Sequence, residues 1–246
     1  MMKRKYRWLI GISLVLITLS LGALLTIRIL TYAPTTQSLA VLSLDHVEDL
    51  GTAVVLHPFD DVKATVVFYP GGFVEPESYL LLGNALALKG YRVIVVRMPL
   101  NLAILGINRA QDYLDLVEGP LILAGHSLGG ASAAFFVDRN PERVDGLILM
   151  AAYPAEGLSL VDLPLAVLSI QGSEDLILNQ EAFEATREHL PSNTTFVMLD
   201  GGNHAGFGAY GAQRGDGEAT LSPSAQRTQI LDAIESWFEQ SFGGAR

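Results

Sequence analysis

Residues 121–130 read LILAGHSLGG, a buried-looking apolar run that ends in a serine set between glycines. The pattern Gly-x-Ser-x-Gly alone decides nothing, since chance produces it roughly 0.15 times per sequence of this composition. Its surroundings do. The run before it has the length and character of an inner strand, and the small residues after it, GGASAAFF, open a helix. A serine on so sharp a strand-to-helix turn has a strained backbone and needs small neighbours so that helix and strand can close together. The same geometry aims the unpaired N–H groups of a helix N-terminus at one point, which suits an oxyanion. Ser127 is therefore read as a nucleophile rather than as part of a glycine-rich bend.

Similar apolar runs recur along the chain: ATVVFY (64–69), YRVIVVRM (91–98), VDGLILMAAY (144–153), LAVLSIQG (165–172) and TTFVML (194–199). Continuous apolar runs of this length belong to strands covered on both faces, as in a parallel sheet between helices. The intervening segments read as helices, including EPESYLLLGNALALKG, NRAQDYLDLVEG and NQEAFEATREHLP. The last helix begins after Ser222, with Pro223 at its first position. VLSLD (41–45) and TAVVLHP (52–58) are expected to pair as antiparallel strands. The fold class is α/β, three-layered, with a mostly parallel central sheet.

A serine hydroxyl attacks poorly until a base takes its proton, so a histidine oriented by a carboxylate should follow. Asp175, in SIQGSEDLI, and His204, in LDGGNHAGFG, each come just after a strand and so fall on the same sheet edge as Ser127. Glu174 remains an alternative acid. His126 is expected to point away and pack structurally, and His46, His57 and His189 have no nucleophile near them in sequence. No His, Asp and Glu cluster has metal-ligand spacing, so neither metal nor other cofactor is implied. The oxyanion needs two donors: Leu128 N–H, and one from YPGGFVEPESY, where Gly72 is the first choice and Phe73 the second. Phe73, Leu100, Leu102, Phe207 and Tyr210 are candidates to line an acyl pocket, with Met98–Leu105 as its other wall.

These residues together resemble the α/β-hydrolase superfamily, over nearly all of residues 41–240. PGGFVEPESY stands where many members carry a His-Gly loop, GHSLGG matches the nucleophile elbow, GSED the acid and GNHAGFG the base. The pattern is similar to the small bacterial "alpha/beta hydrolase 5" group, related to dienelactone hydrolases and carboxylesterases. Pro70 replaces the usual His, and a serine replaces the cysteine of dienelactone hydrolases. The resemblance implies cleavage of a carboxylic ester through an acyl-enzyme, with Ser127, His204 and Asp175 as the triad. Other acyl transfer (lipid deacylation, amide cleavage, an acyltransferase) and a catalytically silent binding domain are the alternatives. The eleven residues PAEGLSLVDLP after Tyr153 are too few for a lid domain. The site is expected to be open unless the loop from Gly201 to Ser222, with seven glycines, folds over it.

The first forty residues are of another kind. Trp8 to Ile27 carry no charge, and twenty helical residues cover roughly 30 Å, the thickness of a bilayer core. The expected organisation is a basic cytoplasmic N-terminus (1–7), a transmembrane anchor (8–30), a short tether (31–40) and the catalytic domain (41–246). A cleaved secretory signal is the competing reading, although its apolar stretch is usually shorter and its cleavage site closer. Lys3, Arg4, Lys5 and Arg7 precede the span and Arg28 alone ends it, which puts the N-terminus in the cytoplasm and the domain outside. With those five positive charges removed from a net −10, the remainder carries −15. Such a surface repels nucleic acid, leaving small ester or lipid-like substrates as partners. The chain has no cysteine, which excludes disulfides and thiol catalysis.

Overall fold

The structure is a computed structural model that describes residues 2–243. Met1 and residues 244–246, assigned above to the basic N-terminus and the end of the domain, lie outside it. The chain opens with helix α1 (Met2–Leu30) and a short helix α2 (Thr36–Ala40). Strands β1 (Val47–Asp49), β2 (Ala53–Leu56) and β3 (Ala64–Tyr69) follow, then α3 (Leu80–Ala87) and β4 (Tyr91–Val96). Beyond them come β5 (Leu121–His126), α4 (Leu128–Arg139), β6 (Gly146–Met150) and β7 (Ala166–Gly172). The last elements are α5 (Gln180–Thr186), β8 (Thr195–Leu199) and α6 (Pro223–Phe242).

The eight strands form one sheet in the order β1-β2-β4-β3-β5-β6-β7-β8. From β4 to β8 all neighbours are parallel, while β2 joins β4, and β1 joins β2, antiparallel. The chain steps from β3 to β4 in one direction, returns across β3 to β5, and then proceeds the other way. That reversal puts a crevice beyond the carboxyl ends of β3 and β5, where ligands of such sheets bind.

The apolar runs form strands because both sheet faces are covered. Alternate residues of β3 go to opposite cores: Val66 and Phe68 join α3 and α6, while Val67 and Tyr69 join α4. α6 contributes Ile230, Ile234, Trp237 and Phe238 to the first of these cores. Its start follows the expectation, with the Ser222 side chain accepting from Ala225 N–H at 3.2 Å and Pro223 next in line.

Three segments differ from expectation. Residues 41–45 are not a strand: Val41–Ser43 form a helical turn continuing α2, because Val41 is buried beside α3, and the strand that meets β2 begins at Val47. Ala103–Leu116 form successive 3-10 turns kinked at Gly106 rather than an α-helix. The cause is Tyr69, whose hydroxyl donates to Ile107 O (2.6 Å) and accepts from Ala110 N–H (2.9 Å), taking backbone groups that an α-helix would pair elsewhere. Residues 31–40, expected as a tether, are fastened to the domain through a parallel bridge between Tyr32 and Val74 and through α2, whose Ser38 is fully buried. α1 stands apart: its stretch Trp8–Leu30 is long and apolar enough to cross a membrane, and the fold buries none of it.

Trp237 is 2% exposed and packs edge-on against Phe242 at 5.7 Å. Trp237→Ala removes the largest side chain of this core and is expected to cost about 3–5 kcal/mol in urea unfolding of the detergent-solubilised protein. A loss under about 1 kcal/mol would mean that α6 is not the lid of this core.

Candidate active site

Ser127 sits between β5 and α4 with φ 52° and ψ −123°, a left-handed conformation for a residue that carries a Cβ. Its N–H donates to Met150 O at 2.9 Å, which ties the turn to the end of β6. The strain is tolerated because strand and helix cross with no room for side chains. A Cβ at Gly129 would lie 2.1 Å from Tyr69 O, and one at Gly125 would lie 2.4 Å from the Gly129 carbonyl carbon. Phe73, Leu100, Asn101 and Ala151 also have positive φ, and all of them, like Ser127, follow the carboxyl ends of strands. Strain of about 1–3 kcal/mol per residue is thus gathered at one edge.

At the ends of β7 and β8 it is Asp175, not Glu174, that meets His204. Asp175 Oδ2 lies 2.8 Å from His204 Nδ1, and both side chains are buried. Asp175 Oδ1 accepts from Ile177 N–H (2.9 Å) and Leu178 N–H (2.8 Å), which holds the carboxylate in place and leaves Oδ2 to His204. Glu174 instead accepts from the Ser173 hydroxyl at 3.0 Å. A carboxylate on Nδ1 places the ring's proton there and leaves Nε2 as an acceptor. Ser127 and His204 line one open cleft of about 330 Å³, together with Leu128, Ala131, Tyr153 and Leu178.

The loop that follows β3 offers its N–H groups one at a time. Gly71 N–H donates to the Tyr79 hydroxyl (3.0 Å), and Phe73 N–H donates to Asn101 O (2.8 Å). Gly72 N–H, between them, has no acceptor among the described residues, and neither has Leu128 N–H at the start of α4. The two are neighbours, for a Cβ at Gly72 would stand 3.1 Å from Leu128 Cδ2. The Gly72 and Leu128 N–H groups are thus unpaired neighbours, whereas the donor of Phe73, the second choice from sequence, is taken by Asn101 O.

The glycine-rich loop does not cover the cleft. It braces His204 from behind. Asp216 accepts from Ala205 N–H (2.8 Å), Gly217 N–H (2.9 Å) and His204 N–H (3.3 Å). Gln226 of α6, buried, accepts from Asn203 N–H (3.1 Å) and donates to Asn203 O (2.8 Å). His126 also belongs to this support rather than pointing away. Its ring lies 4.5 Å from that of His204 and stacks on Phe207, and its Nδ1 is 2.8 Å from the Tyr79 hydroxyl. Burial, and then the neighbouring His204, pushes the His126 pKa well below the ordinary imidazole value, so the ring is neutral. The Tyr79 hydroxyl, having accepted from Gly71, has its own proton for His126 Nδ1. One hydroxyl thereby joins the β3 loop to the strand that carries the serine.

Two pocket expectations are corrected. Phe207 is buried under His126 and Tyr210 is packed against Tyr32, so neither is a wall. Leu100 is 45% exposed and, like Phe73, Leu102 and the Met98–Leu105 segment, is not part of the cleft that Ser127 and His204 line. Among the described residues no group of three or more His, Asp and Glu side chains gathers to hold a metal ion. Asp216, Gln226, Asn203 and Tyr79 escaped the sequence reading, because no periodicity or motif marks a residue whose role is to hold another loop's backbone.

Similarity to known proteins agrees with this architecture. A pyrethroid hydrolase from Sphingobium wenxiniae is 49% identical over 41 residues, a match that spans 17% of this chain and 15% of that enzyme. A dienelactone hydrolase from Anabaena variabilis superposes with a TM-score of 0.61 at 19% identity, over 77% of this chain and 91% of that one. The esterase domain of a Rhodothermus marinus protein gives 0.58 at 17% identity, over 76% and 92%. At such identities the superpositions speak for the fold. The family model described as the alpha/beta hydrolase family matches residues 65–228, which contain the β3 loop, the serine turn, the acid and the histidine. With more than half of the chain matched, this protein belongs to the alpha/beta hydrolase family.

Proposed function

We propose that the protein is a serine hydrolase that cleaves a carboxylic ester through an acyl-enzyme, with Ser127, His204 and Asp175 as its triad. The observation that carries this reading is the 2.8 Å contact between Asp175 and His204 at the cleft that Ser127 also lines. His204 Nε2 takes the Ser127 hydroxyl proton as Oγ bonds to the acyl carbon, and the carbonyl electrons move onto oxygen. Leu128 and Gly72 N–H groups stabilise that oxyanion. Collapse breaks the bond to the alkoxy oxygen, which leaves as an alcohol with the proton from His204. Water, deprotonated by the same imidazole, then releases the acid and restores Ser127. Asp175 holds the ring and offsets its transient charge. No step requires a cofactor.

The names pyrethroid hydrolase and esterase, borne by proteins that this chain resembles, favour an ester over an amide. The cleft wall of alanines with Ile177 and Leu178 suits an apolar acyl group. α1 serves as a membrane anchor, with Lys3, Arg4, Lys5 and Arg7 on the cytoplasmic side and the domain outside.

Ser127→Ala is expected to lower kcat for p-nitrophenyl butyrate by about 10⁶-fold, with the thermal transition unchanged. Undiminished turnover would remove Ser127 from the chemistry. Asp175→Asn keeps the shape but reverses the hydrogen bond that sets the His204 tautomer. It should lower kcat by about 10⁴-fold, whereas Glu174→Gln should leave it near wild type. The opposite ranking would transfer the acid's role to Glu174.

A further inference from the structure

There is no slack between α1 and the domain. The helix ends at Leu30, and Tyr32 N–H already donates to Phe73 O at 2.7 Å while Tyr32 O accepts from Glu75 N–H at 3.0 Å. The Tyr32 ring lies 5.4 Å from that of Tyr210, its hydroxyl accepts from Arg214 N–H at 3.1 Å, and Thr35 N–H donates to Ala209 O at 2.8 Å. The chain leaving α1 is therefore clasped between the loop that bears Gly72 and the loop that follows His204. Two residues of extended chain reach at most about 7 Å, and a 2.7 Å hydrogen bond spans the rest, so Phe73 O of the Gly72 loop stands within about 10 Å of the helix end.

α1 is predominantly apolar from Trp8 to Leu30, and no residue of that stretch is buried by the fold. A helix of this kind needs an apolar surrounding along its whole length, and Arg28 in its last turn marks the level at which polar headgroups begin. The β3 loop, a few residues on, comes to lie at that level. On the same sheet edge the loop after β4 exposes Leu100, Ile104 and Leu105, and the loop after β7 exposes Leu176, which is 72% accessible. Leu100 and Asn101 adjoin the anchor's docking site directly, through the bond from Phe73 N–H to Asn101 O. Scattered exposed leucines are ordinary, but here they flank the cleft at the point where the apolar helix leaves the domain.

We propose that this edge rests on the bilayer from which α1 emerges, and that Ser127 acts on esters held in that leaflet, which enter the cleft from lipid rather than from bulk water. The second half rests on the ester-hydrolase reading above. The net −15 outside the N-terminal segment points to a zwitterionic surface in preference to an anionic one.

The absence of cysteine makes a direct test simple. Single cysteines at Leu100, Leu105 and Leu88 are labelled with an environment-sensitive nitrobenzoxadiazole in the full chain, reconstituted in phosphatidylcholine vesicles. Leu88 follows α3 at the opposite, amino edge of the sheet and is 61% exposed. Lipids with brominated acyl chains should quench the label at 100 and 105 and leave that at 88 bright; equal quenching at all three, or none, overturns the orientation. In the same vesicles, Ile104→Asp with Leu105→Asp should lower turnover of a long-chain 4-methylumbelliferyl ester in the bilayer by about tenfold. Turnover of soluble p-nitrophenyl acetate should not change. Equal effects on both esters overturn the lipid substrate. Quenching as expected with neither ester hydrolysed by the wild type would instead refute the hydrolase reading and leave the orientation standing.

Discussion

The left-handed turn at Ser127 is the constraint on which the site depends. It exists only because the start of α4 lies against the ends of β3 and β5 so closely that Gly125 and Gly129 leave no space for a Cβ. From that contact several things follow together. The serine sits at the turn between β5 and α4, and Leu128 at the start of α4 comes within van der Waals reach of Gly72 in the β3 loop. The strained backbone is maintained by the two apolar cores, which fix strand and helix independently of the turn. Fold stability is spent at one edge of the sheet, where the chemistry needs rigid geometry.

Around this turn the structure is a set of loops held by one another. Tyr79 ties Gly71 to His126, Asn101 ties Phe73, Asp216 and Gln226 brace the backbone around His204, and Asp175 is fixed by two N–H groups of its own loop. Hydrogen bonds from neighbours spend the donors on either side of Gly72 and leave its own unspent. The chain leaving α1 enters the same network through Tyr32 and Thr35, so the end of α1 and the cleft are held by one set of loops.

Much of this was legible in the residues. The parallel strands announced themselves as runs such as ATVVFY and LILAG, because burial on both faces leaves an apolar signature that needs no partner to be recognised. Ser127, Asp175 and His204 were singled out by their places after such runs, and the fold brings all three to one edge of the sheet. What stayed hidden depends on tertiary partners. Nothing local shows that the Tyr69 hydroxyl will interrupt a helix at Ala110, or that Tyr32 will pair with Val74. Phe207 looked like a pocket wall because aromatic residues near a histidine serve either purpose, and only packing shows that it lies behind His126. Phe73 and Gly72 were separable only by the acceptor at Asn101, a residue almost thirty positions away.

The central claim is that Ser127 is a nucleophile activated by His204. Its most direct test is to treat the folded protein with an alkyl fluorophosphonate and locate the adduct by peptide mass mapping. The account predicts one adduct per chain, on the peptide that contains Ser127, lost on heat denaturation before treatment and lost in His204→Ala. An unmodified chain, or an adduct at another serine, would contradict it.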